Sequence, residues 1–263
     1  MARGSLIKTP TNTGNRRVWT YSAWHKRQNI ADKETILFAK TDDDNQESFG
    51  WGSSSSSPPS GLYFRDETGG SAVNGYIKGS YRDQSAWYHV VIALNTEEED
   101  QNERLRIFIN GNIVGPDAAW SFLARNERMA INREEAALEL FAQDGGDDLE
   151  NLICDVFFVD GQCLGPEVFG FNRQGYGTVG AGGSLNTTYK DGEWVPKKPA
   201  TIKREINKLN GGVQGFGSNG FYLPLNTPDS IGSWGADFHC PLDTIINVQE
   251  HLPQPKSGFA ATA

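Results

Sequence analysis

The nine residues Val18–Lys26 read VWTYSAWHK, and their alternation decides the fold class. In an extended chain, Trp19, Tyr21 and Ala23 fall on one face, and the residues between them fall on the other. Large aromatic groups on one face of a strand are suited to filling the space between two packed sheets. The segment therefore predicts a β-strand that directs its aromatic side chains into the core of a sandwich.

Further segments of the chain have the same strand character and are separated by turns. They are residues 34–40, 61–65, 75–80, 87–94, 104–109, 152–160 and 220–225. Asn110-Gly111 predicts a tight hairpin because both residues tolerate positive φ, and Pro224 predicts an edge strand. Many short strands with long loops predict an all-β chain folded as an antiparallel β-sandwich or barrel.

Two segments have helical character. Residues 126–142 have the best helix propensity in the chain, yet residues 137–142 fit a strand equally well. Propensity leaves helix and strand open there, and we predict a strand for 137–142 from the family resemblance given below. Residues 202–209 predict a short helix.

The charge balance argues against two classes of partner. The chain has 263 residues with 24 Lys and Arg against 33 Asp and Glu, which gives a net charge of −9. Binding to nucleic acid or to anionic membrane needs a clustered positive field, so neither is expected. The polar start of the chain and the lack of a long apolar run predict synthesis and folding in a cytoplasm. The three cysteines, Cys154, Cys163 and Cys240, are then expected to be free, mostly buried thiols.

Catalytic patterns are not evident in the sequence. A glycosidase needs two carboxylates a few ångström apart, whereas the acidic run 97–100 follows a predicted strand, as a solvated loop would. His89 lies among apolar strand residues, which predicts a hydrogen-bonded structural histidine rather than a catalyst. We therefore expect the protein not to be an enzyme, and we expect no organic cofactor.

Calcium is the one metal for which the sequence offers ligands. Asp42, Asp44 and Asn45 lie in an acidic loop and carry the oxygen donors that Ca²⁺ prefers. An exposed acidic loop without any ion is the competing interpretation.

Four pieces in a fixed order resemble one family. They read WTYSAWHKR (19–27), AWYHVV (86–91), RLRIFING (104–111) and DVFFVDGQCL (155–164), the last followed by PEVFG (166–170). Together they resemble the laminin-G or concanavalin-A-like jelly-roll family. This resemblance implies a concanavalin-A-like β-sandwich.

A narrower resemblance involves WVPKK (194–198) and GSNGFYL (217–223). These pieces are similar to concanavalin-A-like domains in virion proteins of tailed bacteriophages. The resemblance implies a structural virion protein assembled in the host cytoplasm, either a capsid decoration protein or a compact tail or fibre component. It implies other virion proteins as partners and leaves monomer and homo-oligomer open.

The resemblance also divides the chain. It implies an N-terminal segment (1–8), a sandwich with long insertions (9–226) and a C-terminal extension (227–263). The last part, 241–263, is rich in proline and small residues, which predicts an extended arm that straps onto a neighbouring protein. A disordered terminus is the alternative.

The alternative function is a lectin-like module that recognises glycans on a host surface. Sugar rings stack on exposed aromatic side chains, and the candidates are Trp51, Trp120 and Trp234, together with Tyr63. The Gly50-Trp51-Gly52 context makes Trp51 the leading candidate for an exposed ring.

Overall fold

Two antiparallel sheets packed face to face form the body of the molecule. The computed structural model describes residues 5–28, 30, 33–42, 45–52, 61–68, 71–77, 79–115, 122–141, 151–173, 192–209, 215–225 and 259–262. Its elements in chain order are β1 (Ser5–Lys8), β2 (Val18–Lys26), β3 (Glu34–Asp42), β4 (Asn45–Trp51), β5 (Leu62–Thr68), β6 (Ser71–Ile77), β7 (Tyr88–Asn95), β8 (Leu105–Ile109), β9 (Asn112–Val114), β10 (Ala137–Leu140), β11 (Leu152–Asp160), β12 (Gly170–Arg173), β13 (Glu193–Pro196), α1 (Pro199–Leu209), β14 (Phe221–Leu223) and β15 (Phe259–Thr262).

The strand order is not the chain order, as expected for a jelly roll. Sheet A has seven strands in the order β15-β1-β10-β3-β4-β5-β6. Sheet B has six strands in the order β14-β11-β2-β7-β8-β9, and β12 and β13 form a separate hairpin. The predicted all-β sandwich is confirmed, and β14, which is followed directly by Pro224, is an edge strand of sheet B as predicted.

The main core lies between the two sheets. Trp19, Tyr21 and Ala23 of β2 all point into it, which confirms the alternation in Val18–Lys26. They meet side chains of sheet A such as Phe49, whose ring makes an edge contact with Trp19 at a centroid distance of 5.9 Å. Because β2 is a pleated strand, every second side chain points into the core.

A second core covers the outer face of sheet B, the face that points away from sheet A. Val91 and Phe157 lie on this face and pack with Phe169 and with Ile202 and Ile206 of α1. Ile202 and Ile206 are four residues apart and therefore lie on the same side of the helix. The short helix predicted for 202–209 is confirmed, and both faces of sheet B are covered where α1 packs.

The ambiguous segment 126–142 contains a strand. Ala137–Leu140 forms β10 between β1 and β3, and no helix occurs in the described residues 126–141. Asn126, Asn132 and Glu135 have positive φ, a conformation that interrupts a helix. Tertiary packing of the loop therefore overrides the helix propensity of its sequence.

Both ends of the described chain differ from the division made from the sequence. Ser5–Lys8 forms β1 within sheet A and Leu6 is buried in the main core, so the sandwich includes residues placed in an N-terminal segment. Phe259–Thr262 forms β15, which pairs with β1 from Ser5↔Thr262 to Lys8↔Phe259. The remainder of the C-terminal arm lies outside the described residues.

The cysteines differ from the expectation of three free thiols. Cys163 is free and half-buried, whereas Cys154 is disulfide-bonded, so the expectation is wrong for Cys154. Cys240 lies outside the described residues. None of the helices in the described part of the chain is long and apolar enough to cross a membrane.

A buried polar network joins distant segments at the end of the sandwich where β11 ends. Asp160 Oδ1 accepts hydrogen bonds from the backbone N–H of Asn15 at 2.8 Å and from Asn132 Nδ2 at 2.6 Å. Its Oδ2 accepts from the backbone N–H of Asn219 at 3.1 Å. One carboxylate thereby fixes three chain segments that are far apart in sequence.

Candidate functional site

The tryptophans fall into two groups by exposure. Trp19 and Trp51 are 0% exposed and Trp24 is 4% exposed, so these three belong to the interior. Trp87 and Trp194 are half-buried, and they are the described tryptophans that reach the surface. Trp120 and Trp234, both proposed from the sequence as stacking platforms, lie outside the described residues.

Trp51 is not an exposed platform, and this prediction is wrong. Its ring lies 5.1 Å from the Arg27 guanidinium and 5.8 Å from the ring centroid of Tyr88. Packing and backbone conformation explain why glycines flank Trp51. A Cβ on Gly50 would come within 2.5 Å of the Tyr63 ring, and Gly52 has a φ of 103°. Tyr63 is also buried, and its hydroxyl is 2.7 Å from Thr35 Oγ1.

Four aromatic side chains on the outer face of sheet B form what we call the aromatic cluster: Trp24, Trp87, His89 and Trp194. Trp24 lies on β2, His89 lies on the adjacent strand β7 directly opposite it, and Trp87 immediately precedes β7. Trp87 and Trp194 pack against the buried pair formed by Trp24 and Cys154. Trp194 comes from β13, so the hairpin β12–β13 brings a distant segment onto the sheet.

His89 holds the cluster together. Trp194 Nε1 donates to His89 Nδ1 at 3.0 Å, and His89 Nε2 lies 2.9 Å from Ser22 Oγ. An indole N–H can only donate, so Nδ1 accepts and the imidazole proton sits on Nε2, which donates to Ser22. Burial lowers the pKa of His89 to about 3. His89 is therefore a buried histidine with a hydrogen bond at each ring nitrogen, as the sequence predicted.

Two glycines make room for the Trp194 ring. Gly111 has a φ of 79°, and a Cβ there would collide with the indole of Trp194. A Cβ on Gly170 would lie 2.6 Å from the same indole. Asn110, in the same turn as Gly111, accepts the backbone N–H of His89 at 2.7 Å with Oδ1. The predicted Asn110-Gly111 hairpin turn is confirmed, and it also forms part of the support for Trp194.

Sequence reasoning missed a pair of acidic residues inside the sandwich. Glu47 on β4 and Asp66 on β5 are directly opposite each other, and each is 2% exposed. The two Glu47 oxygens accept the backbone N–H groups of Ala130 and Ile131, the latter at 2.9 Å. Burial and the neighbouring Asp66 raise the pKa of Glu47 to about 8. This carboxyl anchors a loop and does not face solvent.

The acidic loops behave as solvated surface. Residues 97–100 are all exposed, as predicted. Among the calcium candidates, Asn45 Nδ2 donates to Asp42 Oδ1 at 2.7 Å across the β3–β4 turn, and Asp44 lies outside the described residues. The described residues contain no group of three or more His, Cys, Asp or Glu side chains that could hold a metal ion.

Trp87 and Trp194 both lie in sequence motifs, but nothing in these motifs indicates that the two rings are partly exposed. Trp87 belongs to the quoted piece AWYHVV, and Trp194 to WVPKK, and both were interpreted as fold motifs. Their partial exposure follows from how the β12–β13 hairpin lies on sheet B, and no local pattern encodes that contact.

The fold and its motifs agree with the comparison to known families. The family model Laminin_G_3, described as the concanavalin A-like lectin/glucanases superfamily, matches residues 2–135. This match covers just over half of the chain, and the chain belongs to this family. No curated protein matches it.

Solved structures similar to the chain come from several sources. A heptameric SAP-like pentraxin from Limulus polyphemus is 15% identical, with 62% of this chain and 72% of that chain covered and a TM-score of 0.43. The CBM40 of the Ruminococcus gnavus IT-sialidase is 12% identical, covers 58% and 80%, and has a TM-score of 0.40. Tailspike protein 2 from Escherichia coli O157:H7 bacteriophage CAB120 is 14% identical, covers 63% and 22%, and has a TM-score of 0.44.

Proposed function

We propose that this protein is a non-enzymatic carbohydrate-recognition protein, on the lectin side of its lectin and glucanase family. One observation favours a recognition protein over a glucanase. The directly paired acidic residues Glu47 and Asp66 are buried, and both Glu47 oxygens accept hydrogen bonds from backbone N–H groups.

Glycoside hydrolysis requires a carboxyl pair that reaches the scissile bond, one member acting as acid and the other as nucleophile or base. The Glu47–Asp66 pair cannot reach a sugar, because both side chains are buried and the loop that contains Ala130 and Ile131 covers the Glu47 carboxyl. The outer face of sheet B is not accessible to a substrate beneath α1 either, because Phe157 and Val91 are packed there against the helix. These two features support recognition without cleavage.

Carbohydrate recognition needs aromatic surface for the apolar face of a sugar and polar groups for its hydroxyls. The half-buried tryptophans at the end of sheet B supply aromatic surface on a rigid support. This supports a lectin-like role.

A second proposal concerns where the protein works. We propose that it is a structural protein on the surface of a tailed-phage virion, as a capsid decoration protein or a compact tail or fibre component. Support comes from the ordered sequence pieces. Residues 241–263 are the proposed attachment to a neighbouring virion protein, and residues 259–262 among them pair with β1 of the same chain.

The two proposals are tested separately. For recognition, the purified chain is applied to a glycan array, with heat-unfolded protein as the control. We expect folded protein to bind at least one glycan, and binding to none contradicts the proposal. For location, gold-labelled antibody is added to phage particles that encode the chain. We expect regular labelling of head or tail, and unlabelled intact particles contradict the virion role.

A further inference from the structure

We infer that the aromatic cluster is the sugar-binding site and that its ligand is a neutral hexopyranose rather than an acidic sugar. This inference rests on the proposed carbohydrate-recognition function and names its site and ligand class. The contacts that carry it are those of Trp87 and Trp194 with the residues that support them.

The aromatic platform is rigid. The Trp194 indole is held by the hydrogen bond to His89 and lies closely against the backbone of Gly111 and Gly170. His89 is itself stacked on Trp24 at a centroid distance of 4.8 Å with an interplanar angle of 24°. A ring fixed in this way loses little conformational entropy when a ligand binds, so stacking energy is not spent on ordering the site.

Polar side chains lie beside the rings. Asn172 on β12 is directly opposite Trp194 on β13, so both side chains project from the same face of the hairpin. Asn172 is exposed, and Asn112, which follows the Gly111 contact with Trp194, is exposed as well. Amide side chains donate and accept at once, which matches the hydroxyl groups of a sugar.

The charges near the rings favour a neutral ligand. Arg173, a cation of the β12–β13 hairpin, is paired with Glu193, and both project from the hairpin face opposite to Trp194. The pair therefore offers an acidic sugar on the rings no free positive charge. Asp83 is exposed in the turn that leads to Trp87, and the hydrogen bond from Ser85 Oγ lowers the pKa of its carboxyl. The chain carries a net charge of −9. A sialic or uronic acid would bring a further negative charge to this surface, whereas a neutral pyranose would not.

The test measures affinity by isothermal titration calorimetry with defined probes. The neutral probes are cellotetraose, maltotetraose and tetra-N-acetylchitotetraose, and the acidic probes are sialyllactose and tetragalacturonate. Trp87→Ala and Trp194→Ala each remove a platform ring, and we expect at least tenfold weaker binding of the neutral probe that binds best. Asn172→Ala leaves the packing intact, and we expect about threefold to tenfold weaker binding at an unchanged melting temperature.

Phe171→Ala is the matched control. Phe171 is 46% exposed on β12, next to Asn172, and therefore points to the opposite face of the same hairpin. Its removal takes away an exposed aromatic group without touching the aromatic cluster, so affinity should change by less than about twofold. Should Trp194→Ala not fold, Trp87→Ala and Asn172→Ala still decide the question.

Each outcome has a defined meaning. Weaker binding in the Trp87, Trp194 and Asn172 variants, but not in Phe171→Ala, supports the site. Unchanged affinity in folded Trp87→Ala and Asn172→Ala overturns the site while leaving carbohydrate recognition standing. Preferential binding of the acidic probes overturns the ligand class. Binding of no glycan at all, on the array or in solution, removes the proposed function and this inference with it.

Discussion

Trp194 Nε1 donates a hydrogen bond to His89 Nδ1 across 3.0 Å, and this bond joins the β12–β13 hairpin to the central strands of sheet B. It places the histidine proton on Nε2, toward Ser22. A buried histidine that is neutral and fully hydrogen-bonded acts as a structural bridge. The consequences for stability and for the tryptophan platform can be measured.

The first prediction concerns acid stability. Burial lowers the pKa of His89 to about 3, below its unfolded value of 6.5, so the folded state takes up fewer protons than the unfolded state between these values. The contribution of His89 to the free energy of unfolding is present above pH 6.5 and is lost as the pH falls toward 3. At pH 5 the free energy of unfolding is therefore about 2 kcal/mol lower than at pH 7 because of this group.

Urea unfolding of His89→Gln tests this. Glutamine keeps an acceptor for Trp194 and does not titrate, so the decrease in unfolding free energy between pH 7 and pH 5 should be smaller than in the wild type by about 2 kcal/mol. His25, whose pKa burial also lowers to about 3, continues to titrate in both proteins. An identical decrease in both proteins contradicts the assignment.

The second prediction compares two glycines with positive φ. Gly111 (φ 79°) lies against the Trp194 indole, whereas a Cβ on Gly161 (φ 86°) would meet nothing within 4 Å. Gly161→Ala should cost about 1 kcal/mol for the left-handed backbone alone. Gly111→Ala should cost about 1–3 kcal/mol more, because its Cβ displaces the indole. Equal melting temperatures for the two variants would show that Trp194 does not rest on this turn.

The third prediction concerns alkaline stability. Burial and Asp66 raise the pKa of Glu47 to about 8, so the folded state retains this proton where the unfolded state has lost it. The contribution of Glu47 to the free energy of unfolding is fully present below about pH 4.5 and is lost as the pH rises through 8. We expect the unfolding free energy of the wild type to fall by about 1 kcal/mol from this group between pH 7 and pH 9.

Glu47→Gln should lack this alkaline decrease and should be less stable at neutral pH, because the amide cannot accept from both Ala130 and Ile131. Glu134→Gln, at an exposed position of the same loop, is the control and should follow the wild type. An alkaline decrease that persists undiminished in Glu47→Gln assigns the titration to another group.

The fourth prediction concerns the buried network at the end of β11. Asp160→Ala leaves the N–H donors of Asn15, Asn132 and Asn219 without their acceptor. We expect a loss of about 3 kcal/mol in unfolding free energy, measured by urea denaturation. Asp100→Ala, in an exposed loop, should change it by less than about 0.5 kcal/mol. A loss for Asp160→Ala as small as the control would mean that the network does not hold the loops.

The sequence was sufficient for the features that depend on local pattern. The alternation in Val18–Lys26, the Asn110-Gly111 turn and the edge position before Pro224 are each fixed by the residues themselves. The strand β4 was missed because Glu47 occupies a core-facing position, which disrupts the apolar alternation shared with Phe49. The burial of an acidic residue such as Glu47 is understood only once its distant partners are known.

Exposure was the property that the sequence could not provide. Trp51 lies between two glycines, as an exposed ring would, yet Gly50 is required by the close approach of Tyr63. Trp87 and Trp194 lie in motifs that resemble core strands, yet both are only partly buried where they pack against Trp24 and Cys154. Which side of a ring is covered depends on segments about one hundred residues away, such as Trp194 relative to His89.

The central claim is that this chain recognises carbohydrate without cleaving it. The most direct measurement is a proton NMR time course on the folded chain with the neutral oligosaccharide that it binds best. It combines saturation-transfer signals from the sugar with integration of its anomeric protons. The account predicts saturation transfer to the ring protons and unchanged anomeric signals over days. Newly formed reducing ends, absent when the chain is omitted, would contradict it.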